Sequence, residues 1–463
     1  MKKTISVILS VILVCCTVTV CLTGCSSEED EVSSTEINND IQQIYSDLKE
    51  QFGKQDNSES VFKYVKWFAG ENKNLSYKEI NADSVMITSA ATSGYSNAKS
   101  TLFEFNSSGS GDGRERAQVL TIALTAMKDA ANHGGTRLIV TRNPASLSKE
   151  DFKADNIVSL CHGNETAIYS GGAATAEYTY TKKLTKKAPD GTKAFRLTIS
   201  GLEGGSSGDR ERTHPNPSEE IASFINDCQS SRITVEIAAF SGGTSYDTYQ
   251  KKATAVVVVP GSDAEKFRQK ADKETDRYTD KNIAKESDLS FSVSEINLPS
   301  QVYSNESTTS VLSLLYTMNN GMFRTIDGEN SGDSIAVSEL GYLNMTGSTF
   351  TAKVSARVID ADVRKYMDSE FKATASLNDM SFKIDRRTPL WPYDTDSAIA
   401  DDMSQAASEY GFKLETGFTY EQTDVAVMYA KNRNINAVLF STNMENGYEA
   451  VRTLMLYLRN MNR

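Results

Sequence analysis

Histidine is scarce in this chain. Only His133, His162 and His214 occur in 463 residues, so a metal centre built mainly on imidazole has few donors to draw on. Cysteine is equally thin where it would matter. Cys15, Cys16, Cys21 and Cys25 stand in the first 25 residues, and only Cys161 and Cys228 follow. Two distant cysteines make neither a disulfide framework nor a zinc knuckle. Basic excess is also missing: the formal net charge is −12, which argues against a nucleic-acid partner. After the first residues no apolar run is long enough to suggest a membrane span.

The chain begins with a targeting pattern. Lys2 and Lys3 precede an apolar run from Ile5 to Leu22 that closes on Leu22-Thr23-Gly24-Cys25, the lipobox pattern of a bacterial lipoprotein. Residues 1–24 therefore read as a signal peptide and Cys25 as the lipid-modified first residue of the mature chain. Several acyl chains on one cysteine, each buried methylene contributing about 0.8 kcal/mol, should hold the protein to the outer face of the cell membrane. The first 24 residues carry two lysines and no acids, which leaves 47 basic against 61 acidic residues beyond them. Residues 25–36, including the acidic string Ser26 to Glu36, are expected to form a flexible stalk.

The remainder, with 39% hydrophobic residues across the whole chain, has enough apolar material for two folded domains. Ile37, Ile41, Ile44, Leu48 and Phe52 repeat at helical spacing, and Val61, Phe62, Val65 and Phe68 mark a second amphipathic helix. Strands are expected at Val85–Ile87 and Thr101–Phe105. The Gly-rich turn Gly109 to Gly113 follows, then a helix from about Ala117 to Ala131 and strands at 136–141 and 156–161. Strand, turn, helix, strand is the rhythm of a mostly parallel sheet with covering helices. From about Ala174 the texture changes to an α+β pattern of antiparallel strands and helices. Beyond Pro389 a helix over 397–410, a buried strand over 437–440 and a last helix over 447–461 resume the first pattern. The expected fold class is thus α/β, a mostly parallel-sheet domain (37–173 and 387–463) interrupted by an inserted α+β domain (174–386).

Several local strings carry a resemblance. They are His133-Gly134 before a strand, Glu165-Thr166-Ala167-Ile168-Tyr169 followed by Gly171-Gly172, Gly201-Leu202-Glu203-Gly204-Gly205-Ser206-Ser207-Gly208, Phe240-Ser241-Gly242-Gly243-Thr244, and Pro389-Leu390-Trp391-Pro392. In order and spacing these resemble the aminoacyl-histidine dipeptidases, a carnosinase-related branch of the dinuclear zinc exopeptidases. The resemblance implies a peptidase-like domain with an inserted lid domain, through which a homodimer can form. It also implies two zinc ions held by histidines and carboxylates, with a glutamate as general base.

The matching positions do not keep those groups. The family's H-x-D segment matches Ser89-Ala90-Ala91, and its paired glutamates match Arg142-Asn143-Pro144-Ala145. Its next ligand aspartate falls on Cys161, its turn histidine on Ser206, and Ser441-Thr442-Asn443-Met444 lacks its H-S-P-D-E string. Only the bridging aspartate, Asp112, survives. The expectation is a membrane-anchored, dipeptidase-like protein without catalytic residues or resident cofactor, binding a peptide or another anionic ligand. The alternative is an active metallo-dipeptidase with a rearranged zinc site, for which Asp112 and Cys161 are the remnant ligands. A bare interaction surface is a third reading. Cys161 and the neighbouring His162 should not both face the cleft unless the strand has ended. Two echoing strings, 110–116 and 207–212, place Arg114, Arg116, Arg210 and Arg212 where the resemblance puts the cleft, and mark them as an anion-binding set. The bland reading pairs those arginines with Glu115 and Glu211 on solvated loops, where ion pairs contribute about 0–1 kcal/mol.

Overall fold

The computed structural model describes residues 32–55, 57–109, 111–208, 215–325 and 334–461. The signal peptide, Cys25, Arg210, Arg212 and His214 lie outside the described residues. Among the described residues, no helix is long and apolar enough to cross a membrane.

Two large sheets organise the chain. The first holds β1 (Leu75–Asn81), β2 (Ser84–Ser89), β3 (Thr101–Asn106), β4 (Thr136–Thr141), β5 (Asn156–His162) and β6 (Ala167–Gly172). The second holds β7 (Ala174–Lys183), β9 (Lys193–Ser200), β10 (Glu236–Gly242), β11 (Ala253–Val259), β12 (Ser290–Ile296), β14 (Gly321–Thr325), β15 (Ser334–Met345), β16 (Thr349–Val358) and β17 (Ser381–Asp385). The short strands β8 (Lys186–Lys187) and β13 (Val302–Tyr303) pair with each other. The chain then returns to the first sheet with β18 (Glu415–Thr419) and β19 (Ala437–Thr442).

In the first sheet the order is β1-β2-β4-β3-β5-β19-β6-β18. The central strands β4, β3, β5 and β19 run parallel, while β1, β2 and β6 meet their inner neighbours antiparallel. Parallel strands buried on both faces should be apolar on both, and β3 shows it. Phe103 and Phe105 enter the core shared with the helices α1 (Ser34–Phe52), α2 (Asn57–Glu71) and α3 (Gly113–Asp129), whereas Leu102 enters the core of the opposite face. The second sheet pairs antiparallel throughout. It packs on α4 (Pro217–Ser230), α5 (Ala264–Asn282), α6 (Asn305–Thr317) and α7 (Ala361–Leu377). The later helices α8 (Ala398–Ser408), α9 (Asp424–Lys431) and α10 (Gly447–Asn460) cover the first sheet.

The chain leaves the first sheet and comes back at one point. Gly172 and Trp391 exchange both backbone hydrogen bonds, Gly172 N to Trp391 O at 2.9 Å and Trp391 N to Gly172 O at 3.2 Å. A Cβ on the adjacent Gly171 would lie 2.5 Å from the Cα of Tyr393, so the two backbones meet only because residue 171 has no side chain. The glycine pair and the Pro-Leu-Trp-Pro string of the sequence are thus the two halves of one junction.

Candidate functional site

The carboxyl ends of β3, β5 and β19 open into a cavity of about 880 Å³. Parallel strands place such a crevice at their carboxyl ends, where the loops diverge. Asn106 and Ser108 come from the end of β3, Ser159, Cys161 and His162 from β5, and Ser441 from β19; Thr419 to Asp424 and Ser206 close the other side.

Helix α3 starts at the rim. Asp112 is its N-cap, accepting from the backbone N–H of Arg114 at 2.7 Å and Glu115 at 3.0 Å, while Glu115 Oε2 accepts from the Asp112 N–H at 2.6 Å. This reciprocal capping box satisfies two of the helix's free amides, those of Arg114 and Glu115, and the Asp112 N–H. Those backbone donors hold the Asp112 carboxyl below the usual range. Arg114 is exposed, and Arg116 lines the cavity with its guanidinium donating to the carbonyls of Gly111 at 2.7 Å and Gly109 at 3.2 Å. Of the four expected arginines, Arg116 is therefore the one seen at the cavity, and it organises the loop as it stands there. Glu115 closes the cap and lies 3.9 Å from His162 Nδ1. β5 ends at His162, and with the strand over, both Cys161 and His162 reach the cavity.

The opposite wall is built on a side chain the sequence reading passed over. Arg357, near the end of β16 and nearly buried, donates to Glu421 Oε2 at 2.9 Å, the Tyr420 carbonyl at 2.8 Å, Ser206 Oγ at 3.2 Å and Ser207 Oγ at 3.3 Å. Ser206 in turn donates to Glu421 Oε1 at 2.8 Å. Arginine's planar fork suits such multiple bonding. It ties the second sheet, the turn from Gly204 to Gly208 and the loop before α9 together at the cavity mouth. In the sequence it is one of two cations, with Lys353, in a strand that alternates polar and apolar residues.

Asp424 lines the cavity, and the fully buried Glu104 accepts a hydrogen bond from Ser159, which lines it too. Burial pushes the Glu104 carboxyl well above its usual range, with Asp424 adding to the shift and the bond from Ser159 opposing it. Burial likewise raises Asp424 to about 6. The Cys161 thiol is pushed up to about 12, again chiefly by burial, so at neutral pH it is a thiol and not a thiolate.

The H-x-D match fails on strand direction. β2 runs antiparallel to β4, and Ser89 pairs with Thr136 at the amino end of β4, opposite the cavity end. Ser89-Ala90-Ala91 therefore stand away from the cleft, and Asn106 and Ser108 occupy the strand end beside it. Ser89 Oγ lies 3.4 Å from Nε2 of the buried His133, whose Nδ1 is 2.6 Å from the Gly134 carbonyl, a structural arrangement. Arg142 pairs with Asp83 at 2.7 Å, and Asn143 caps the short turn Pro144–Ser146.

No family model matches the chain. A search of curated proteins finds the cytosol non-specific dipeptidase of Escherichia coli (strain K12), 20% identical over 249 residues, 54% of this chain and 51% of that protein. The match thus spans about half the length of the curated relative. Among solved structures, the aminoacylhistidine dipeptidase of Vibrio alginolyticus superposes with a TM-score of 0.76 at 17% identity, covering 92% of this chain and 96% of that one. The fold is that of an aminoacylhistidine dipeptidase. A tripeptidase from Staphylococcus aureus follows at a TM-score of 0.51 and 10% identity, over 94% of this chain and 100% of that one.

Set in this dipeptidase fold, the donors do not fit two zinc ions. Zinc takes thiolate, neutral imidazole or carboxylate in sets of three or four. Among the described residues no three His, Cys, Asp or Glu side chains gather where they could hold a metal ion. Asp112 is engaged as a helix cap, and Asn106, Ser108, Ser206 and Ser441 are neutral.

Proposed function

We propose that this protein is a lipoprotein, anchored through Cys25 to the outer face of a cell membrane, whose dipeptidase-like cleft binds a peptide or another anionic ligand without hydrolysing it. One observation carries the non-catalytic part. The cavity stands where the fold places its crevice, yet among the described residues its one imidazole, its thiol and the carboxylates of Glu421 and Asp424 do not gather into a set of three metal ligands, and amides and hydroxyls make up much of the rest of its polar lining. Water held by such groups keeps a pKa far above neutral, whereas zinc would lower it to about 7. The general base has no counterpart among Arg142 to Ala145 either. The anchor is supported by the Leu22-Thr23-Gly24-Cys25 ending after an apolar run.

Two experiments test the reading. Elemental analysis of the purified full chain, after incubation with zinc or manganese, should find no stoichiometric metal, and β-alanyl-histidine should remain intact. Two equivalents of zinc with chelator-sensitive turnover would establish the active dipeptidase instead. Cys25→Ser should abolish the lipid adduct and release the protein from the membrane fraction; unchanged partitioning refutes the anchor.

A further inference from the structure

The cavity at the carboxyl ends of β3, β5 and β19 does not end at His162. His162 and Gly163 also line a second hollow of about 250 Å³, together with Gln118 of α3, Asn164 and Asn443. Met444 and Glu445 line both that hollow and a third, of about 450 Å³, set against Asn38, Gln42 and Tyr45 of α1 and Tyr448 of α10. Shared walls put the three in a row, from the crevice to the groove between α1 and α10. The connection from β19 to α10 leaves this row open. β19 stops at Thr442 and α10 starts at Gly447, so residues 443–446 alone join them. Asn443 fastens that turn: its Nδ2 donates to the carbonyls of Gly163 at 3.0 Å and Asn164 at 2.7 Å, and its Oδ1 accepts from the Glu445 N–H at 3.0 Å. A turn so short and so held has no slack to cover the space beyond Gly163.

The lining suits main-chain amides. Asn38 donates to the Ser34 carbonyl at 2.9 Å and Gln118 accepts from the Met444 N–H at 3.2 Å, which leaves an amide oxygen on one and an amide nitrogen on the other for a ligand. Gln42 and Asn164 are exposed and offer donors and acceptors of their own. Tyr45, Met444 and Tyr448 supply adaptable apolar surface. Among the described residues, Glu445 and Glu449 carry the only full charges that line the third hollow. A dipeptide would leave most of the row empty. The first cavity alone, at about 880 Å³, is within the range of about 300–1,000 Å³ that encloses a drug-sized ligand.

We propose that the three hollows form one groove for an extended polypeptide, which crosses the crevice, passes His162 and Asn164, and lays a lysine or arginine side chain against Glu445 and Glu449. The proposal rests on the reading of the cavity as a peptide-binding cleft and goes beyond it in the length and charge of the ligand. Calorimetry on the detergent-solubilised full chain, at about 0.15 M ionic strength to screen long-range attraction, tests it. The probes are blocked at both ends: N-acetyl-lysyl-alanine amide, and hexapeptides of three lysyl-alanine or three glutamyl-alanine repeats. The lysyl hexapeptide should bind at least about tenfold more tightly than the dipeptide and than the glutamyl hexapeptide. Asn164→Trp places a bulky ring in the second hollow at an exposed position whose backbone, not side chain, holds Asn443. It should bring the lysyl hexapeptide down to the affinity of the dipeptide and leave the dipeptide unchanged; since net charge is kept, general attraction to an acidic protein would survive it. The length comparison needs no variant, so a misfolded substitution leaves the matter decidable. Equal binding of dipeptide and hexapeptide, equal binding of the two hexapeptides, or a folded Asn164→Trp that binds like wild type each overturns the groove and leaves the peptide cleft standing. Binding of no probe overturns both.

Discussion

Asn106 Nδ2 donates to Asp424 Oδ1 across 318 residues of sequence, joining the end of β3 to the first turn of α9. The bond fixes where the returning segment closes over the cavity. It also opposes the rise in the Asp424 pKa that burial causes. Asn106→Ala should therefore destabilise the fold by about 1–3 kcal/mol, the usual cost of stranding a buried polar partner. Asn106→Asp should be worse, and more so at pH 8 than at pH 5, because it sets a third acid beside Glu104 and Asp424. Urea unfolding at both pH values measures this, and equal losses at the two would mean Asp424 does not feel residue 106.

The cysteines should be inert. Burial raises both the Cys161 and the Cys228 thiol to about 12. Since the thiolate is the reactive form, alkylation by iodoacetamide at pH 7.5 should be far slower in the native protein than in urea. Peptide mass spectrometry reads each site separately. Rapid labelling of Cys161 in the native state would revive it as a metal ligand or nucleophile.

At the junction of the two sheets, Gly171→Ala should cost about 1–3 kcal/mol, because its Cβ would press on the Tyr393 backbone, which cannot step aside as a flexible side chain could. A control at Gly347, where a Cβ meets nothing, should be nearly neutral. If both substitutions lower the melting temperature alike, the close approach is not what holds the junction.

Much of this architecture was readable from periodicity. The helical repeat of Ile37 to Phe52 and the strands around Phe103 and Val158 stand where the pattern put them. The glycine strings are legible for a physical reason: each marks a place where another backbone approaches. Strand direction is not written in any local pattern, and so Ser89-Ala90-Ala91 was matched to the cleft while it sits at the far end of the sheet. Arg357, Glu104 and Asp424 carry no local mark because burial of a charge depends on partners far along the chain, from 55 residues for Glu104 and Ser159 to 318 for Asp424 and Asn106. The helix start at Asp112 was closer to the surface of the sequence, since Asp112 and Glu115 have the spacing of a capping box.

The second sheet carries an acid that should govern how stability varies with pH. Glu339 of β15 is buried, and its carboxyl is pushed up to about 8, chiefly by burial and then by the nearby Glu219, against the opposing bond from Asn216 Nδ2 at 2.9 Å. In the unfolded chain a glutamate releases its proton near pH 4.3. Between that value and about 8 the folded protein holds a proton that the unfolded chain has lost, so folding takes one up and stability falls as pH rises. One such group contributes a slope of at most about 1.4 kcal/mol per pH unit. Glu339→Gln keeps the acceptor for Asn216 and removes the proton requirement. It should therefore raise stability at pH 8, do little at pH 4, and flatten the profile between them. Asp129, raised to about 7 mainly by burial, remains in the variant and keeps some slope below pH 7. Chemical denaturation across pH 4 to 8 compares the two proteins. Parallel profiles would show that Glu339 is ionised in the folded state at neutral pH, with its charge met by groups other than a proton.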